Sequence, residues 1–224
     1  MLSSFDPVLR SQEVEQIVMH GDSRMYYRFR LAHFYGPQGI ITGDMVGCNL
    51  LCHWPNGARC WNFARNAHPE GVGQFYTPEQ VALKLQKLSK KNDCQLCRIS
   101  GAEVFLGESS TKHLISVIEA MPDNEFVIET NGVMLGHKPE LIDLLKPLQN
   151  IALIRVCVKG LDQRSFQDVT GANHGLEYQL RAIKTIHRLN IPLSVALSQF
   201  VDLAKLKALI PYDVDFDEER ISRR

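Results

Sequence analysis

Three cysteines, Cys48, Cys52 and Cys60, fall on one stretch, Met45 to Asn66, directly after an apolar, strand-like run from Gly39 to Val46. Thiolates are soft ligands that suit zinc or iron–sulfur clusters. A structural zinc site takes four closed ligands, and His53 or His68 stands near enough to be the fourth. The other three cysteines read differently. Cys94 and Cys97 form a CxxC, a spacing that can hold an auxiliary metal or do redox chemistry. Here it falls on an expected strand, where residues three apart face opposite sides, so both are read as core thiols. Cys157 sits between Val156 and Val158 and is read the same way. His53 is otherwise a solvent-facing neighbour of the loop. No paired carboxylates, Ser/His/Asp array or phosphate-binding P-loop is visible.

The elements that must position the cysteines alternate. Strands are expected at 39–46, 94–100, 125–129, 151–158 and 192–197. Helices are expected at 111–121, 139–148, 176–189 and 203–209, with another opening at Thr77. In that helix Thr77 can cap, Pro78 suits the first helical position and Gln80 completes a capping box. Strand, loop and helix in rotation give parallel βαβ units, with sites gathered where strands end. A closed eight-stranded barrel usually takes about 250 residues, and this chain has 224. The expected fold class is therefore α/β, an open partial (βα) TIM-like barrel with a parallel sheet.

Three regions are expected: an N-terminal arm at 1–38, a core domain at 39–212 and a charged, frayed tail at 213–224. The arm begins with a short helix bearing Val8, Leu9, Val14, Ile17 and Val18. It continues through Asp22 to Tyr35, where arginines interleave with aromatics. Such a stretch suits a phosphate or a base, or simply a strand that packs its rings and solvates its arginines. Asp162 and Asp168 are read as loop residues that cap or turn. Lys+Arg and Asp+Glu are both 25, a formal net charge of +0. That argues against a general nucleic-acid or membrane-surface binder. No apolar run reaches bilayer-spanning length and the N-terminus lacks signal-peptide regions, so a cytoplasmic protein with reduced thiols is expected.

Several strand ends carry motifs in a consistent order. Gly47-Cys48-Asn49-Leu50-Leu51-Cys52 and Cys60-Trp61-Asn62 bracket the cysteine loop. Arg98-Ile-Ser-Gly-Ala-Glu103 follows the second expected strand and Glu129-Thr-Asn-Gly132 the third. Val158-Lys159-Gly160 closes the fourth, and Phe166-Gln-Asp-Val-Thr-Gly171 comes after it. With the lead-in Arg24-Met-Tyr-Tyr-Arg-Phe-Arg, these motifs resemble the radical S-adenosylmethionine (SAM) family over roughly residues 40 to 200. The resemblance is nearest to archaeal and bacterial homologues of pyruvate formate-lyase activating enzyme. Two departures stand out. The family spaces its cysteines C-x3-C-x2-C, whereas Pro55 to Arg59 looks like a five-residue insertion before Cys60. The usual second glycine of the Ser-Gly-Gly-Glu-Pro loop is Ala102, and its proline is Val104.

The resemblance implies a [4Fe–4S] cluster held by Cys48, Cys52 and Cys60, with its fourth iron left for the amino and carboxylate groups of SAM. It implies that Ser100, Gly101, Ala102 and Glu103 approach the methionine ammonium, Thr130 and Asn131 the ribose, and that Lys159 marks the fourth strand end of the SAM site. One electron then cleaves the C–S bond to a 5′-deoxyadenosyl radical, which abstracts hydrogen from a protein or small-molecule substrate. An electron donor such as ferredoxin or flavodoxin is the implied partner, and a glycyl-radical activase the nearest analogy. The alternatives are a zinc-binding module and a degenerate, non-catalytic scaffold or interaction protein. Pro55-Asn56-Gly57 is strong turn chemistry, so the insertion is expected to bulge outward and return Cys60 to the site.

Overall fold

Thr77 accepts from the Gln80 backbone while the Gln80 side chain reaches back, the capping box expected of a helix start. Similar local signals set most elements of the computed structural model, which describes residues 4–33, 38–198 and 202–219. In chain order these are α1 (Pro7–Val18), β1 (Met19–His20), β2 (Ser23–Ala32), β3 (Ile40–Met45), α2 (Phe63–Ala67), β4 (Gln74–Tyr76), α3 (Pro78–Asn92), β5 (Leu96–Ser100) and α4 (Glu108–Glu119). Then come β6 (Glu125–Thr130), α5 (Val133–His137), α6 (Glu140–Asp143), β7 (Ile151–Val158), α7 (Gln163–Thr170), α8 (Leu176–Arg188), β8 (Leu193–Ser198), α9 (Leu203–Leu209) and β9 (Asp215–Glu219).

Among the described residues these strands form one nine-stranded sheet, ordered β1-β2-β3-β5-β6-β7-β8-β9, with β4 on β2. From β3 to β9 each neighbouring pair is parallel, while β2 runs antiparallel to β3. The sheet does not close, as the chain length implied. The arginine–aromatic stretch is thus largely a strand, and Phe34 and Tyr35 lie outside the described residues.

Three expectations need correction. The tail expected to fray at 213–219 contains β9, parallel to β8. Its alternation explains this: Phe216 packs on the main core while Asp217 meets Arg155 at 3.2 Å. Residues 220–224 lie outside the described residues. The stretch holding Asp162 and Asp168 is helix α7, with Asp162 as its N-cap and Asp168 inside it. The helix expected at 139–148 is two short ones, α5 before Pro139 and α6 after it, because proline disfavours helical geometry in the residue before it.

The sheet has two unlike faces. Ile41, Cys97, Ile99, Phe126, Ile128, Ile154 and Val156 face the main apolar core, shared with Val81 and Leu85 of α3 and Ile183 and Ile186 of α8. Residues of the other parity face the inside of the open barrel. Its lower layer is apolar, with Ala32, Ile40 and Val127. Two residues further along the strands it becomes charged: Arg28 and Arg30 each bind Asp44 at 2.8 Å, Arg98 and Arg155 meet Glu129 at 3.2 and 3.3 Å, and Arg155 reaches Asp217.

Candidate active site

The cysteine loop leaves β3 through Gly47, whose φ is +88°. A side chain there would press on Val14 and Val18 of α1, at 2.7 and 2.8 Å, so glycine is required by conformation and by space. The arm helix braces the site at further points. Asn49 Nδ2 donates to Pro7 O, Arg10 Nη2 to Asn66 O, Ser11 Oγ to Leu106 O, and Glu15 Oε1 accepts from Ser110 N. From the other side, Thr170 O and Val169 O accept from Leu51 N and His53 N. The end of α7, within the Phe166 to Gly171 motif, therefore holds the middle of the loop.

The extra residues between Cys52 and Cys60 form a narrow two-sided turn. Cys60 N donates to Cys52 O at 2.9 Å, His53 pairs with Arg59 across the turn, and Trp54 N donates to Ala58 O at 2.8 Å. Gly57, with φ +79°, and Pro55 are exposed at the tip, while Trp54 and Ala58 are buried in the main core. The long spacing thus returns Cys60 alongside Cys52.

Cys48 Sγ accepts from Leu50 N at 3.4 Å and from Asn131 Nδ2 at 3.8 Å. Burial pushes the Cys48 thiol well up, with Glu103, Cys52 and Cys60 acting in the same direction. The three thiols therefore feel one another, and a metal that binds them must take their protons. Among the described residues no three Cys, His, Asp or Glu side chains are grouped closely enough to hold a single metal ion. Ligands of a multinuclear cluster each bind their own iron and can stand further apart. His53 turns its Nδ1 to Leu51 O at 3.2 Å.

Glu103 joins the next two strand ends. It is buried, and its carboxylate accepts from Phe105 N (3.0 Å), Thr130 Oγ1 (2.5 Å) and Asn131 N (2.7 Å). Burial raises its pKa, against the lowering effect of those three donors and of Arg24. Oε1 has both acceptor directions taken and Oε2 has one left. Glu103 N donates to Gly47 O, which fastens this loop to the cysteine loop. Gly101, with φ +91°, lies against the Asp44 backbone at 3.1 Å. Ala102 has no left-handed φ, so alanine fits where the usual motif has glycine. Ser100 Oγ donates to Glu129 at 2.6 Å.

Asn131 links the layers: Nδ2 donates to Asn49 Oδ1 at 2.8 Å and Oδ1 accepts from Val133 N. Its carbonyl accepts from Gln179 Nε2, which also donates to Cys157 O, while Gln179 Oε1 accepts from Lys159 N. Lys159 Nζ lies 5.9 Å from the centre of the Trp54 ring.

Sequence reasoning missed Gln179, Asn49, Asn62 and the buried Arg24 as organisers. Asn62 Nδ2 bridges Met45 O and Gly101 O. For Gln179 a signal existed, a polar residue on the apolar stripe of α8 with Ala182, Ile183 and Ile186. Cys94 and Cys97 lie at the opposite ends of the strands, buried and away from this site.

The sequence model of the radical SAM superfamily matches residues 44–198, the span that contains all these strand-end loops. The chain belongs to the radical SAM superfamily. Its cofactors are accordingly a [4Fe–4S] cluster and S-adenosylmethionine. No curated protein sequence matches the chain. Among solved structures, Streptococcus suis SuiB bound to S-adenosylmethionine superposes with a TM-score of 0.59 at 14% identity, over 83% of this chain and 42% of that one. SuiB bound to precursor peptide SuiA gives 0.59 at 17%, over 79% and 38%. TYW1 with a lysine-pyruvate adduct bound gives 0.57 at 12%, over 96% and 80%. At these identities the likeness is one of fold. The radical SAM chain described here spans about two fifths of the length of SuiB. Among the described residues no helix is long and apolar enough to cross a membrane.

Proposed function

We propose that Cys48, Cys52 and Cys60 are the cluster ligands, that SAM lies across the ends of β5, β6 and β7, and that the chain cleaves it reductively. The observation that carries this is the turn that returns Cys60 to Cys52 O, because it removes the mismatch in cysteine spacing. The bound cofactors supply a one-electron cleavage of the sulfonium C–S bond, giving methionine and a 5′-deoxyadenosyl radical. The residues of this chain prepare that step. Leu50 N–H and Asn131 Nδ2 point donors at the Cys48 sulfur, which favours its thiolate form. Glu103 offers its remaining Oε2 direction to the SAM ammonium while locking Thr130 and Asn131 in place. Ser100, Gly101 and Ala102 form the wall beside that ammonium, and Lys159 with Trp54 closes the far side. The charged inner face from Arg28 to Asp217 receives the substrate.

In the finer reading the substrate is a glycine of a partner protein, and ferredoxin or flavodoxin donates the electron. This rests on the sequence resemblance to activating-enzyme homologues. Anaerobic reconstitution of the full chain with iron and sulfide, then incubation with SAM and a strong reductant, tests the core of the proposal. About four irons per chain and 5′-deoxyadenosine are expected. One zinc and no iron would favour a structural metal module instead.

A further inference from the structure

Arg24 is fully buried at the start of β2, and no carboxylate closes on it. Nη2 donates to Glu103 O at 2.9 Å and Val46 O at 3.5 Å. Nε and Nη1 are buried without a partner among the described residues. Val46 belongs to an apolar cluster with Val14, Val18, Met25 and Leu106, so this guanidinium is held in apolar surroundings. Buried charges are normally paired, and an unpaired one is costly to keep. An exception of this kind calls for a reason in function.

We propose that Arg24 is a fixed countercharge behind the cluster loop, holding that loop against the Glu103 loop and making the bound cluster easier to reduce. The inference rests on the cysteine assignment above. Its two carbonyl acceptors belong to the residue two before Cys48 and to Glu103, the two loops that Glu103 N and Gly47 O already join. Glu15, Glu103 and Cys48 are among the groups with which its charge interacts. Taking up an electron makes the cluster site more negative. A buried positive charge, poorly screened by solvent or salt, stabilises that reduced form more than the oxidised one. Arg24 touches no reacting atom, so it acts as a positioning residue whose signature is the reduction potential.

The test uses the full chain reconstituted anaerobically, with iron counted first and the potential then read by redox titration followed by electron paramagnetic resonance. Arg24→Gln keeps a donor for the two carbonyls and removes the charge. Arg24→Lys keeps the charge. At a fixed poise the reduced-to-oxidised ratio should fall at least tenfold in Arg24→Gln, equivalent to about 59 mV for a one-electron couple, and stay near wild type in Arg24→Lys. Glu15→Gln, whose amide oxygen can still accept from Ser110 N, should move the ratio upward by unmasking the Arg24 charge. An Arg24→Gln chain that holds its cluster at the wild-type potential would overturn the proposal. So would equal losses of stability in the two Arg24 variants with no change in potential. If Arg24→Gln does not fold, Glu15→Gln decides, and the absence of an upward shift rejects the countercharge. A wild-type chain that takes up no iron sinks the ligand assignment and this proposal with it, and iron analysis shows that before any potential is measured.

Discussion

Cys48 and Cys94 flank neighbouring parallel strands at opposite ends, one just past the end of β3 and the other just before β5. Their sulfurs are treated in opposite ways. Cys48 Sγ receives N–H groups from Leu50 and Asn131. Cys94 Sγ faces two carbonyls, Gly39 O at 3.5 Å and Leu96 O at 3.6 Å. Donors around a sulfur favour a thiolate and therefore a metal, whereas carbonyls favour a protonated thiol. Cys97 goes with Cys94: burial first, and Cys94 second, pushes its thiol up to about 12. The same residue type is thus a ligand at one end of the sheet and core material at the other, and the neighbouring backbone decides which.

The sharpest way to break this contrast is to exchange the losses. Alanine at Cys48, Cys52 or Cys60 should abolish iron uptake and leave the urea midpoint of the apo chain nearly unchanged. Alanine at Cys94, Cys97 and Cys157 together should keep the iron and lower stability by about 1 kcal/mol per site. Iron analysis beside urea titration reads both, and loss of the cluster in the second variant would reverse the assignment.

Alkaline pH gives the next largest effect. The Cys97 thiol ionises near 9.0 when unfolded and only at about 12 when folded. The folded pKa is the raised one, so this contribution is full below 9 and is lost as pH rises through that window. It amounts to at most about 4 kcal/mol. The wild-type urea midpoint should fall more steeply above pH 9 than that of Cys97→Ala, and parallel slopes would remove Cys97 from the buried-thiol class.

Glu103→Gln sharpens the site end of the comparison. The carboxylate accepts three donors, and an amide must turn its NH2 toward at least one of them. The apo chain should lose about 1–3 kcal/mol, in addition to any weakening of SAM binding seen by calorimetry. Unchanged stability would mean that the Thr130 and Asn131 contacts do not brace the loop. Smallest is the turn tip. Gly57→Ala must adopt a left-handed backbone at φ +79°, which costs about 1–2 kcal/mol, with iron retained because the Cys52–Cys60 pairing lies at the base. Iron loss in a folded Gly57→Ala chain would show that the tip itself shapes the ligand set.

Much of the frame was legible locally. The β3, β7, α3 and α9 segments announced themselves through apolar runs, caps and periodicity, which are properties of neighbours in the chain. The loops after β3, β5 and β6 were legible because short motifs repeat a known order there. β9 was not, since Asp215-Phe216-Asp217 looks like a charged tail until Arg155 pairs with Asp217. α7 was not either, because its motif was read as loop rather than as a helix capped by Asp162.

By itself the sequence determined that three cysteines follow a strand, that strands and helices alternate from there, and that Pro55-Asn56-Gly57 turns. Those are matters of residue type and of spacing along the chain. Only the tertiary structure decided that the turn sets Cys60 against Cys52, that Glu103 is gripped by Thr130 and Asn131, and that Arg24 is buried with two nitrogens unpaired. Each of these depends on groups from different strands meeting at one sheet end, where burial strengthens every charge and every missing partner. No local pattern encodes which groups will meet there.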